Sequence, residues 1–339
     1  MTLTAPHPPS PSLRRERGSH IRARRSLPAR GAALLMALVV AALATVIVSG
    51  MFWREFVLVR TIDNQQLTAQ SQVLMRGALD WARAILREDA QRSPYVALTG
   101  AWAQPLAETR LDQLGETSPL AAQATMSGAM EDAQSRLNLR NLTDYNGAPD
   151  DAQHAVLARL CAELGLPQAT ADLIAAYVMQ SVPPLSGFVP ATGGQPAKQN
   201  ALLPLVFPED VARIPGIDPS VAPRLAPYVV VLDERTPVNF NTASAEVIAA
   251  EIEGLSLADA RGLVADRDRN PFINVGDITN RLRGRGSSFS PNDVTVTSRY
   301  FFVRGEIKLE RADIRMEALV KRSQTGQLGP IDVMWDRES

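Results

Sequence analysis

The stretch Ala32–Trp53, AALLMALVVAALATVIVSGMFW, decides how the rest of the chain is read. It holds 22 consecutive residues without a charge. As an α-helix it would be about 33 Å long at about 1.5 Å per residue, enough for a hydrocarbon core of about 30 Å. Upstream, residues 1–31 carry seven arginines (14, 15, 17, 22, 24, 25 and 30) against one acid, Glu16. Such a flank stays in the cytoplasm and sends the rest of the chain outward. Trp53 and Arg54 suit the far interface. The run exceeds the apolar region of about 7–15 residues in a secretory signal peptide, and Ser49-Gly50-Met51-Phe52-Trp53 is a poor small-x-small exit.

Helical character continues past this segment. Phe56, Val59, Leu67, Leu74, Ala78, Trp81 and Ile85 recur at steps of three, four, seven or eight, while Arg60, Asp63, Gln66, Gln70 and Arg76 fill other faces. No proline occurs between Ala32 and Pro94. One helix from 32 to 88 would be about 85 Å long, half apolar all round and half amphipathic. Arg30-Gly31 abuts the apolar run and places a small residue on each side of a possible cut, Gly31 and Ala32.

Composition removes several functions. The chain has 339 residues, 45% apolar and 21% charged, which suits a globular protein with a sizeable core. Beyond residue 31 it holds 28 basic and 35 acidic side chains, the wrong balance for a polyanion-binding body. One cysteine, Cys161, excludes an intrachain disulfide and a cysteine zinc cage, and the histidines are only His7, His20 and His154. His154 and Cys161 share a face of one helix, and packing is the preferred reading over a catalytic pair, which needs closer groups and an orienting third residue.

A basic leader, a cut before an apolar stretch and a continuous helical spine form the pattern of a type IV prepilin. Arg30-Gly31-Ala32-Ala33-Leu34-Leu35-Met36 resembles the amino-terminal motif of the minor pseudopilin K family of type II secretion systems, and Asp80-Trp81-Ala82-Arg83-Ala84-Ile85-Leu86-Arg87-Glu88-Asp89 resembles that family's helix end. Further similar segments follow in the family's order: Ser135–Leu142 (SRLNLRNL), Arg224–Val229 (RLAPYV), Val238–Ala243 (VNFNTA) and Tyr300–Gly305 (YFFVRG). The resemblance implies cleavage between Gly31 and Ala32 by a prepilin peptidase and methylation of the new Ala32 amine. It also implies a place at the pseudopilus tip beside minor pseudopilins I and J, with other pseudopilins, the inner-membrane secretion platform and secreted cargo as further contacts. Most prepilins carry a glutamate at mature position five, whereas K subunits do not, and here that position is Met36. A carboxylate in lipid is costly without a partner, so a subunit with nothing above it gains by an apolar residue there.

The resemblance would also bring a calcium site, built in the family from acids that follow the tyrosine equivalent to Tyr177. Here the sequence reads Val178-Met179-Gln180-Ser181-Val182-Pro183-Pro184, with no carboxylate until Glu209. Calcium takes about six to eight oxygens, several of them charged, so no metal and no cofactor is expected.

Residues 93–127 are punctuated by proline and glycine and give no clear pattern. Leu137-Asn138-Leu139 alternates as a short strand. Asp150 and Asp151 cap a helix to about Leu164, stopped by Gly165, and a second helix runs to about Val178. Residues 182–200 are expected to form a loop. Ile214-Pro215-Gly216-Ile217 and Ile252-Glu253-Gly254-Leu255, 38 residues apart, each precede a helix, the first ending near Leu225 and the second near Arg267. Ser256 with Asp259, and Asn274 with Asp277, offer helix caps. This repeat resembles helix-hairpin-helix modules, whose backbone N–H groups meet a phosphate. A membrane-anchored DNA receptor is therefore the alternative function. The acids Asp218, Glu251, Glu253 and Asp259 oppose it, and Arg281, Arg283 and Arg285 form the one basic run nearby. From Val294 the period becomes two: Val294/Val296, Tyr300–Val303, Ile307/Leu309, Ile314/Met316/Ala318 and Ile331/Val333/Trp335 suggest an antiparallel meander, with turns near Gly305 and 310–313.

The expected architecture is α+β: a pilin-like long helix packed on an antiparallel sheet, with a large inserted helical domain. The expected divisions are a leader at 1–31, a transmembrane half-helix at 32–53 and a periplasmic half-helix at 54–92. A first pilin-like part at 93–142, the insertion at 143–290 and a β-meander at 291–339 complete the chain. The expected function is non-enzymatic assembly in the bacterial inner membrane, with the amino terminus cytoplasmic and the body periplasmic.

Overall fold

The structure, a computed structural model, describes residues 30–114, 122, 124–181, 202–282, 289–309, 312–323 and 329–338. Its first element is helix α1, Arg30–Arg92. Alanine- and leucine-rich sequence without proline sustains it, and the Ser93-Pro94 pair ends it, because the residue before proline avoids helical backbone. The chain forms two compact units, residues 1–64 and 65–339, described separately here.

In the first unit, Ala32–Ile62 is long and apolar enough to cross a membrane, with a mean hydropathy of 2.7 and none of that stretch buried.

In the second unit, the remainder of α1 has one buried stripe, Met75, Leu79, Ala82 and Leu86, at helical spacing. Strand β1, Leu106–Arg110, and β2, Ala124–Asp132, follow. After β2 come β3 (Leu137–Asn138), α2 (Asp151–Glu163), α3 (Ala169–Ser181), α4 (Val221–Leu225), β4 (Val229–Val230) and β5 (Val238–Asn239). Next are α5 (Ala245–Glu251), α6 (Leu257–Arg269), α7 (Val275–Arg281) and β6 (Val294–Thr295). The chain then returns as β7 (Tyr300–Leu309), β8 (Ala312–Arg322) and β9 (Ile331–Glu338). The main sheet has the order β1-β2-β7-β8-β9, antiparallel at every pairing. Because Asp132 pairs with Phe301, the helical lobe leaves and re-enters the sheet at one place. The expected insertion 143–290 lies inside that span.

Alternation assigns the two faces of the sheet. Ala124 and Met126 of β2, Phe301, Val303, Ile307 and Leu309 of β7, and Met316, Ala318 and Val320 of β8 are buried with the α1 stripe. On the opposite face Tyr300, Phe302 and Leu319 pack with Ala133, Val230 and Leu232 from the helical lobe. The lobe has its own core, including Leu157, Leu160, Ile174, Leu225, Ile248, Leu263 and Ile278.

Two expectations about the strands fail. Gly305 lies inside β7 paired with Gly128 and Met316, not at a turn. Val294–Thr295 pairs in parallel with Val238–Asn239 and belongs to the helical lobe rather than to the meander. The second expected turn, near 310–313, includes residues 310 and 311, which lie outside the described residues.

Candidate functional site

Large apolar side chains from Leu34 to Ile62 are 46–73% exposed, among them Met36, Val46, Trp53 and Phe56. Trp53 and Phe56 rings lie 6.4 Å apart, and the Arg60 guanidinium sits 5.3 Å from the Phe56 ring, a cluster with the polar-edged aromatics typical of a membrane interface. Gly31 and Ala32, the expected cleavage pair, and Met36 all lie in the first turns of α1. The arginine-rich leader up to residue 29 lies outside the described residues.

A second uncovered surface lies on α1 in the body. The heptad-like spacing places Trp81 in the spine, yet Trp81 is 45% exposed. It borders an apolar groove of about 320 Å³ between α1 and the sheet, lined also by Ile85, Leu106, Met126, Met130 and Met316. Gly128 and Gly305 face each other in the groove's floor. A Cβ on Gly128 would come within 2.9 Å of the Arg304 carbonyl oxygen, so β2 and β7 are held close with no side chain between them. Sequence reading missed this groove because its residues come from segments 78–88, 101–106, 126–130 and 303–316. The glycine pair and the three methionines were the available signal.

The family-like segments tie the helical lobe to the sheet. Asp132, at the end of β2, is buried and accepts from Ser298 Oγ (2.5 Å), Thr242 Oγ1 (2.6 Å), Asn239 Nδ2 (2.9 Å) and Gln134 N (2.8 Å). Burial pushes its carboxyl up, against the pull of those donors. Asn239 Nδ2 also donates to the Val96 carbonyl at 3.0 Å, and Asn241 exchanges two bonds with the Phe272 backbone. Asn138 and Asn141 bind Leu232, Glu234 and Thr236 in the same manner. These asparagines satisfy backbone groups that no regular ladder reaches. Tyr300 donates its hydroxyl to Glu234 at 2.6 Å, and Lys321 pairs with Asp233 and Glu234 at 2.9 and 3.1 Å.

The hairpins are built as the sequence suggested: Gly216 and Gly254 take φ of 89° and 79°, the left-handed backbone that favours glycine. The helix start of the second hairpin is already capped by its own Ser256, and at the first the turn before α4 carries Asp218. Asp218 Oδ1 accepts from Ser220 N at 2.8 Å, and Ser256 Oγ accepts from Asp259 N at 3.1 Å while donating to the Asp259 carboxylate at 2.6 Å. Both hairpins thus carry an acid, Asp218 or Asp259, next to the backbone N–H groups that a phosphate would need. Arg281 is spent internally: it donates to the Asn270 carbonyl at 2.6 Å, pairs with Asp277 at 2.7 Å and lies 4.7 Å from the Phe272 ring. Arg283 and Arg285 lie outside the described residues.

His154 pairs with Asp172 at 2.9 Å, Cys161 is packed in the lobe's core, and burial pushes its thiol up to about 11. Tyr177 donates to the Leu203 carbonyl at 2.9 Å. After it, Val178 and Ser181 are buried, and Val178–Ser181 holds no carboxylate. These residues do not fit calcium. The expected loop 182–200 lies outside the described residues.

An exposed apolar half-helix and a helix-on-sheet body define a pilin-like α+β protein. Family models described as type II secretion system protein K match residues 135–234 and 238–297. The type II secretion system protein K of Pseudomonas aeruginosa is 30% identical over 326 residues, covering 90% of this chain and 91% of that protein. The chain therefore belongs to the type II secretion system protein K family. In fold it matches a chain from the crystal structure of the GspK-GspI-GspJ complex of the enterotoxigenic Escherichia coli type 2 secretion system. That match has a TM-score of 0.63 at 19% identity and covers 81% of this chain and 98% of that one.

Proposed function

We propose that this chain is a non-enzymatic minor pseudopilin at the tip of a periplasmic pseudopilus, where it starts assembly and supports export of folded proteins across the outer membrane. The observation that carries the reading is the apolar run Ala32–Ile62 of α1, long enough to cross a membrane and with none of it buried. The precursor enters the inner membrane with its arginine-rich end in the cytoplasm and its body in the periplasm. Prepilin peptidase cuts between Gly31 and Ala32, and the Ala32 amine is methylated. Met36 leaves the fifth mature position uncharged, as suits a subunit with no neighbour above. Its partners are minor pseudopilins I and J, which the related complex joins to a K subunit, then other pseudopilins and the secretion platform. The Trp81 groove offers the body contact. Secreted cargo is a further contact at the tip.

The fold is proposed to need no calcium, since no carboxylate follows Tyr177 before Glu209. Intact mass of the membrane-extracted protein tests the main reading: a chain beginning at Ala32 with one added methyl is expected. Retention of residues 1–31 would reduce the protein to a plain membrane anchor. For the metal, chelator should leave the melting temperature unchanged, and a large shift on adding calcium would refute that part.

A further inference from the structure

Glu251 is the last residue of α5, at the negative end of that helix, and is only 5% exposed. Its Oε1 has no hydrogen-bond partner among the described residues. The groups around it give an ionised carboxylate little support. Asp293, whose carbonyl accepts from Val238 N at 2.8 Å to begin the β5–β6 pairing, is a like charge. Arg159, reaching from α2, is the one attractive charge, but its Nε is committed to the Ala250 carbonyl at 2.7 Å. From α6, Arg261 is directed to Glu246 at 3.8 Å. Glu253, in the hairpin just beyond, is already engaged.

We propose that Glu251 and Asp293 form a proton-dependent latch that keeps the second hairpin closed on the β5–β6 joint in neutral surroundings and releases it in alkaline ones. The proton removes the charge of Glu251, so α5 can end in a dry site beside Asp293. Its loss leaves a charge on a buried carboxylate whose Oε1 has no hydrogen-bond partner among the described residues, with Asp293 as a like charge and Arg159 already bonded to the Ala250 carbonyl. Burial, with Asp293 second, pushes the Glu251 carboxyl from 4.5 up to about 8, against the pull of Arg159. The folded chain thus holds this proton more tightly than the unfolded chain. The stabilisation is full below the ordinary glutamate range and is lost as pH rises through the window up to about 8.

Hydrogen exchange of the detergent-extracted full chain, corrected for intrinsic rates, at pH 6 and pH 9 decides this. Peptides covering 245–252 and 292–296 should lose at least tenfold in protection at pH 9, while β7 peptides covering 300–309 should not change. Glu251→Gln should abolish the loss, and Asp293→Asn should reduce it, which keeps the test open if the first variant fails to fold. An equal loss in Glu251→Gln, or a parallel loss in β7, would overturn the latch.

Discussion

Helix α1 is one element in two environments, and the contrast between its halves organises the molecule. From Leu34 to Ile62 its large apolar side chains are at least 46% exposed, whereas Met75, Leu79, Ala82 and Leu86 are at most 8% exposed. The apolar pattern differs: residues 32–53 are free of charge on every face, as lipid or neighbouring helices require, and the second half has one stripe that a sheet can cover. A chain that leaves so much apolar surface uncovered needs another partner for it.

The largest expected effect sharpens that contrast. Leu86→Ala empties a fully buried position between α1 and the sheet and should destabilise the body by about 2–5 kcal/mol. Leu43→Ala, at a position 60% exposed, should change body stability by less than about 0.5 kcal/mol. Chemical denaturation of both variants checks this, and equal losses would break the distinction between the halves. Next in size is Asn239→Ala, which strips a donor from both Asp132 and the Val96 carbonyl. It should cost about 1–3 kcal/mol, and unfolding of the helical lobe and the sheet by separate probes should lose coincidence. A loss confined to one lobe's stability with coincidence kept would mean that the joint does not couple them. The smallest effect on the fold belongs to Trp81→Ala, within about 0.5 kcal/mol, yet association with pseudopilin I or J should weaken about tenfold or more. Unchanged association would remove the groove from the assembly surface.

How far the sequence discloses this depends on local signals. Helix α1 was legible because charge-free length and a stripe at helical spacing are contiguous. The caps at Asp150, Ser256 and Asn274, and the hairpin glycines, were legible because each works within about four residues. Strands β1 and β2 were not. Ala124–Asp132 reads ATMSGAMED, with one β-branched residue and a central glycine, and it becomes a strand because β7 pairs with it along nine positions. Val294 misled for the same reason, since its alternation fits any strand and only Val238 fixes which one it joins. The asparagine-rich segments were recognisable by resemblance, but their work at the joint involves partners about 95 to 140 residues away. The Trp81 groove was invisible for that reason too.

The most direct test places a photo-reactive residue at Val46 and, separately, at Leu86 in cells that are actively secreting. Val46 is 69% exposed and Leu86 is 0% exposed. Adducts to another pilin-like subunit from position 46, and only internal adducts from position 86, are the expected result. A position 46 that captures lipid alone during secretion would contradict the assignment of this half-helix to subunit assembly.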